Sequence, residues 1–226
     1  MTIRTNKISL RSAALIAGLA IFIMAMAAPF AEIYAFPKFF VPGKAAETAK
    51  NILANQGLFR VCIFSYLITF VCDLIAAWAL YLLLKPVNED LSFLSALFRF
   101  VYAVIALAAL TNLVSILGLL RSDFESDQWY NHIMSSLDAF KSGWYFGIIF
   151  FGIHLGLLGL LVFKSHYIPR ILGLFLIVAG LGYLINGLKP YLFPTINLDF
   201  AKFTFYGELI FMLWLLIKGW RIQEPS

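Results

Sequence analysis

Charge is scarce in this chain. Asp, Glu, Lys and Arg make up 13% of its 226 residues, about half the share of an ordinary soluble domain, while 62% are hydrophobic. A globular core of this size cannot hide so much apolar surface, which excludes water as the solvent for most of the chain. The net charge of +5 does not indicate a nucleic-acid binder, because the Lys and Arg residues are scattered between apolar runs, as in membrane proteins.

Cysteine is also sparse. Cys62 and Cys72 fall ten residues apart on one predicted helix, about 15 Å along its axis. A disulfide needs Cα atoms within about 7 Å, so the two cannot bridge there and say nothing of redox compartment. There is no CxxC and no Cys/His cluster among only three histidines. Metal hydrolysis needs about three protein ligands, and one intramembrane His with two acids is a thin set. The expectation is neither metal nor cofactor. GxSxG, HExxH, Walker and dinucleotide fingerprints are all missing. Alternating ten-residue segments are absent too, which excludes a strand barrel.

What is present is a set of apolar runs: roughly 12–31, 59–84, 96–120, 142–163, 169–189 and 201–219. Each approaches the ~20 residues that carry a helix across the hydrocarbon core. The expected fold is all-α, a polytopic transmembrane helical bundle of six spans. No linker or low-complexity tract divides it, so residues 1–226 are read as a single integral membrane domain whose partner is the lipid bilayer. The start MTIRTNKISLRSAALIAGLAIFIMAMAAPFA has the layout of a signal peptide. Its apolar run, Ala13 to Ala31, is longer than a usual signal core, and five spans follow it, so it reads as a retained first helix.

Basic residues are dense in the short connections and in Arg4, Lys7 and Arg11 ahead of the first helix. By the positive-inside rule both termini are cytoplasmic, in the inner membrane of a bacterium. Two long connections then lie outside. VPGKAAETAKNILANQGLF spaces Ala45, Ala46, Ala49, Ile52 and Leu53 helically after a Pro-Gly turn, which reads as a short capping or interfacial helix. RSDFESDQWYNHIMSSLDAF, with four acids, Trp129 and His132, reads as a solvated acidic loop. On the fourth span Gly152, Gly156 and Gly159 share a face, and on the fifth Gly173, Gly180 and Gly187 lie on a similar stripe. Small residues at such intervals let helices pack closely in lipid.

Four ionisable residues interrupt the apolar runs. Asp73 lies 12 residues before Lys85, His154 lies 10 before Lys164, Glu208 lies 10 before Lys218, and Arg99 follows Glu89-Asp90 by 9 or 10. At about 1.5 Å per residue all four sit about 13 to 18 Å from one boundary, near the middle of a ~30 Å hydrocarbon core. Polar or small residues accompany each on its own face, Tyr66, Thr69 and Ala76 around Asp73, and Ser92, Ser95, Tyr102 and Ala106 around Arg99. His154 shares a side with Gly143 and Gly147. A charge at mid-bilayer costs about 2.5 to 3.5 kcal/mol on insertion scales, so such groups face inward, pair, or line water. Asp73 and Arg99, on consecutive antiparallel helices, form the natural ion pair, and His154 with Glu208 a second. Arg60 reads as an interfacial anchor.

The segments NILANQGLFRVCIFSYLITFVCD, LYLLLKPVNEDLSFLSALFRFV, FFGIHLGLLGLLVFKSHYIPRILGLFLIVAGLGYLI and GELIFMLWLLIKGW resemble the bacterial membrane family catalogued as domain of unknown function 4386. The resemblance implies a six- or seven-helix integral membrane protein without an established role. Its motif positions fall on Arg60, Asp73, Arg99, His154, Pro169, Arg170, Tyr183 and Glu208.

Three functions fit these residues. In the first, Asp73, Arg99, His154, Glu208, Tyr102 and Tyr183 line a midplane site for a small solute or a lipid headgroup, for binding or transport. In the second, a lipid-modifying enzyme uses His154 and Glu208 as acid and base, with Asp73 orienting. In the third, a scaffold or sensor has a purely structural ion-pair layer. The missing enzyme motifs weigh against the second. Oligomeric state has no signal in the sequence.

Overall fold

In lipid, every backbone amide and carbonyl must be satisfied within the protein, and a chain without strand alternation can do this only as helices. A computed structural model describes residues 8–121, 126–192, 195 and 205–222. The helices are α1 (Leu10–Pro29), α2 (Ala45–Ala54), α3 (Gln56–Leu84), α4 (Glu89–Leu119), α5 (Asp127–Lys164), α6 (Arg170–Leu192) and α7 (Tyr206–Lys218). Five of the described helices, α1 with its continuation to Lys38, α3, α4, α5 and α6, are long and apolar enough to cross a membrane. The sixth expected span, 201–219, is described from Phe205 onward, as α7. Arg4 and Lys7 of the basic start lie outside the described residues.

Local chemistry sets the helix starts. Ser9 Oγ accepts from Ser12 N at 3.2 Å, Asn88 Oδ1 from Leu91 N at 2.8 Å and Ser126 Oγ from Trp129 N at 3.2 Å, each satisfying an amide without an intrahelical acceptor. After Pro29, α1 widens into a π-helical turn, Phe30–Ala35, and ends in a tight turn, Phe36–Lys38. At Gly43 the connection to α2 takes φ +74°, a conformation that suits glycine. Thr48 holds that connection down, accepting from Val41 N at 3.0 Å and donating to Val41 O at 3.2 Å.

Helices α1, α3, α4, α5, α6 and α7 close a ring in that order, with α7 returning to α1. Arg11 Nε donates to Ile222 O at 2.8 Å, so α1 begins and α7 ends at the same end, called proximal below. At the distal end α2 packs on α5 and α3, with Thr48, Ala49 and Ile52 buried, which makes it a capping helix. The ring's outside carries Leu19, Phe64, Leu97, Phe163, Leu181 and Ile217, all exposed. That apolar belt is a liability in water and is what a bilayer solvates.

The acidic loop expected over 121–140 is corrected. From Asp127 on it is the start of α5, with Trp129, Ile133, Leu137 and Phe140 buried at helical spacing and His132 exposed. Residues 122–125 lie outside the described residues. Trp129 Nε1 donates to Leu119 O at 2.9 Å, tying α5 to the end of α4. At 38 residues, α5 is about 57 Å long, well over the thickness of a bilayer. Its first turns therefore stand clear of the hydrocarbon and give α2 a surface to pack on.

Glycines bring α5 and α6 together. A methyl group on Gly159 would lie 2.6 Å from Gly173 O, and one on Gly152 2.8 Å from Gly180 O. Gly156 lies in the same seam through its backbone, since a methyl group on Gly180 would lie 2.8 Å from Gly156 N, but a methyl group on Gly156 itself meets nothing within 4 Å. Gly143 and Gly147 face α4, where a methyl group would lie 2.9 Å from Ala109 Cβ and 3.3 Å from Tyr102 Cδ2. The side of α5 that carries His154 is thus the side against α4.

Candidate functional site

Arg99 is completely buried, and its guanidinium reaches four other helices. Nε and Nη2 donate to the same oxygen of Asp73, Oδ1, at 2.9 and 2.8 Å. Nη1 lies 3.3 Å from Glu208 Oε1 and 3.3 Å from His154 Nε2. Nη2 also meets Met24 Sδ at 3.6 Å. The plane lies over the Phe151 ring, 5.1 Å from its centre. α1, α3, α5 and α7 thus converge on one side chain of α4.

The hydrogen bonds specify the state of His154. Nδ1 lies 2.8 Å from Ser95 O, a pure acceptor, so the ring proton is on Nδ1. Nε2 is then the acceptor that faces a guanidinium N–H, as a second ring proton there would not be. Ser95 Oγ completes the clasp by donating to His154 O at 3.3 Å. The expected direct His154–Glu208 pair is corrected: no hydrogen bond joins them among the described residues, and both bind the same guanidinium nitrogen. Arg99 has the donors for two acids, and the third acceptor is a neutral imidazole.

This layer is closed. Among the described residues no buried side-chain nitrogen or oxygen lacks a hydrogen-bond partner. Neither cleft described in the structure is lined by Asp73, Arg99, His154 or Glu208. No group of three His, Cys, Asp or Glu is placed to hold a metal among the described residues.

Tyr102 and Tyr183 stand beside the layer. Tyr102 packs against Phe151 with the rings tilted by 48° and centres 4.9 Å apart, and its hydroxyl accepts from Trp144 Nε1 at 3.3 Å. Tyr183, from α6, also packs on Phe151 in a T-shaped contact, 5.0 Å between centres. Arg60 is exposed on α3.

On the distal side of the layer a cleft of about 400 Å³ opens between α1, α5 and α6. Pro29 and Glu32 form one wall, Trp144, Tyr145 and Ile148 another, and Tyr183 and Asn186 a third. Phe205, just before α7, also contributes. Glu32 is a functional candidate that sequence reasoning missed. It occupies the π-helical turn, where its Oε2 accepts from Tyr66 OH at 2.6 Å. Tyr66 is fully buried and sets its edge against Trp144, 5.4 Å between centres. The signal was an acid just behind Pro29 at the end of an apolar run, a position that hydropathy assigns to a loop. Irregular turns of this kind inside helices recur at functional sites.

The family model described as Domain of unknown function (DUF4386) matches residues 16–219. An uncharacterized protein of Archaeoglobus fulgidus is 39% identical over 154 residues, covering 68% of this chain and 81% of its own length. The likeness therefore extends beyond bacteria. No solved structure matches.

Proposed function

This chain belongs to the DUF4386 family, a membership that names no reaction, and from its geometry we propose that it is a membrane protein that binds a small amphiphilic ligand in the distal cleft. The single observation that carries this is the cleft itself, about 400 Å³ in volume. It is mostly apolar with a few convergent polar groups, which is the make-up of ligand sites. The Arg99 layer is the floor's framework: it fixes the registration of the surrounding helices and leaves no donor for a ligand. Buried ion pairs specify one arrangement more reliably than they add stability.

Its closure supports a structural reading of Asp73, Arg99, His154 and Glu208. The enzyme reading is weaker, because both nitrogens of His154 are engaged and a substrate has no free atom to approach. On the positive-inside rule we take both termini as cytoplasmic, and on that orientation the cleft lies near the outer leaflet.

The test is mass spectrometry of lipids and metabolites copurifying with the wild type and with Ile148→Trp, which fills the cleft. One class of molecule retained by the wild type and lost from the variant is expected. Identical profiles overturn the reading.

A further inference from the structure

The cleft has one acid, no base and an unusual share of aromatic rings. Glu32 Oε2 is held by Tyr66, while Oε1 has no hydrogen-bond partner among the described residues. Trp144, Tyr145, Tyr183 and Phe205 supply π-faces or edges around the same space. Lys141, on the turn of α5 before Trp144, is the base closest to neutralising Glu32. Its ammonium rests on the rings of Phe40 and Phe36, at 3.9 and 4.9 Å from their centres, and among the described residues it forms no ion pair with Glu32, on which it acts only at longer range. A carboxylate oxygen with no partner, set among aromatic rings, is complementary to an organic cation, whose diffuse charge rings attract and which a carboxylate neutralises. The exposed, apolar neighbours Ile33 and Tyr145 place the mouth of the cleft on the ring's outer surface.

We propose that the ligand of this cleft is an amphiphile with an ammonium head, taken from the bilayer with its head at Glu32 and its chain along the apolar wall. This rests on the ligand-binding reading above and gives it a charge. Asn186, on α6, lines the same cleft.

The experiment is titration calorimetry of the full chain in maltoside micelles against octyltrimethylammonium, octyl sulfate and tetramethylammonium, with matched micelle blanks. Wild type, Glu32→Gln and Ile148→Trp are compared. Gln keeps an oxygen for the Tyr66 hydroxyl, and unchanged size-exclusion elution and melting temperature establish that each variant folds. Saturable binding of octyltrimethylammonium alone is expected, weakened about tenfold or more in Glu32→Gln and lost in Ile148→Trp. Equal binding by Glu32→Gln, or binding of octyl sulfate as tight as that of the cation, overturns the charge assignment. If Ile148→Trp still abolishes that binding, the cleft reading stands without it. Tetramethylammonium binding as tightly as the octyl probe overturns the amphiphile and leaves a soluble amine. Binding that is insensitive to Ile148→Trp overturns both.

Discussion

Arg99 directs two of its nitrogens, Nε and Nη2, at a single oxygen of Asp73, at 2.9 and 2.8 Å. Asp73 Oδ2 takes no part in this pair, and the remaining guanidinium nitrogen is left for α5 and α7. One side chain thereby serves as the hub of the bundle.

A hub predicts asymmetry between its partners. Asp73→Ala removes the closer of the two acids that hold the buried guanidinium and is expected to destabilise by about 3 to 5 kcal/mol. Asp73→Leu combined with Arg99→Met and Glu208→Leu removes all three charges and is expected to recover much of that loss. Thermal unfolding in detergent of the single and triple variants checks this; strictly additive losses would contradict the pairing.

His154→Leu removes one acceptor of Arg99 and the bond to Ser95 O, but Asp73 and Glu208 still satisfy the charge. The expected cost is about 1 to 3 kcal/mol, below that of Asp73→Ala. In the wild type, 15N spectroscopy of the ring should find the proton on Nδ1 and an unprotonated Nε2.

The glycine seam predicts opposite outcomes three residues apart. Gly159→Ala drives a methyl group to 2.6 Å from Gly173 O, whereas Gly156→Ala enters open space. The first should lower the melting temperature. The second should leave it unchanged or raise it slightly, because Ala favours a helix over Gly by about 1 kcal/mol.

Closure of the layer is testable by thiol labelling in a background with Cys62 and Cys72 replaced. Tyr183→Cys, on the cleft, should react with a small membrane-permeant reagent. Ser95→Cys, 2% exposed in the wild type, should stay unreacted until the protein unfolds.

Much of this arrangement was legible because a helix converts sequence distance into depth. Counting residues from Lys85, Lys164 and Lys218 put Asp73, His154 and Glu208 at the level of Arg99, and the structure brings all three within hydrogen-bond reach of that one side chain. Depth does not give azimuth, so the count paired His154 with Glu208 when each turns to Arg99. Hydropathy also stops where polar residues start, although a capped helix continues. The Ser126 cap and the buried spacing of Trp129, Ile133 and Leu137 carry α5 through a stretch that looked like loop. Glu32 was missed for the same reason, standing just past an apolar run behind Pro29. Its bond comes from Tyr66 on another helix and its placement from a turn that widens after Pro29, neither of which has a pattern in the local sequence.

The Asp73–Arg99 bond also bears on the order of synthesis. α3 and α4 are consecutive, joined by the few residues from Lys85 to Asn88, so the hairpin can enter the bilayer with its guanidinium already neutralised. Glu208 lies on the last helix and is made more than a hundred residues later. Until α7 is made Asp73 is the acid available to Arg99, and α7 then brings Glu208 to a guanidinium that already has a partner.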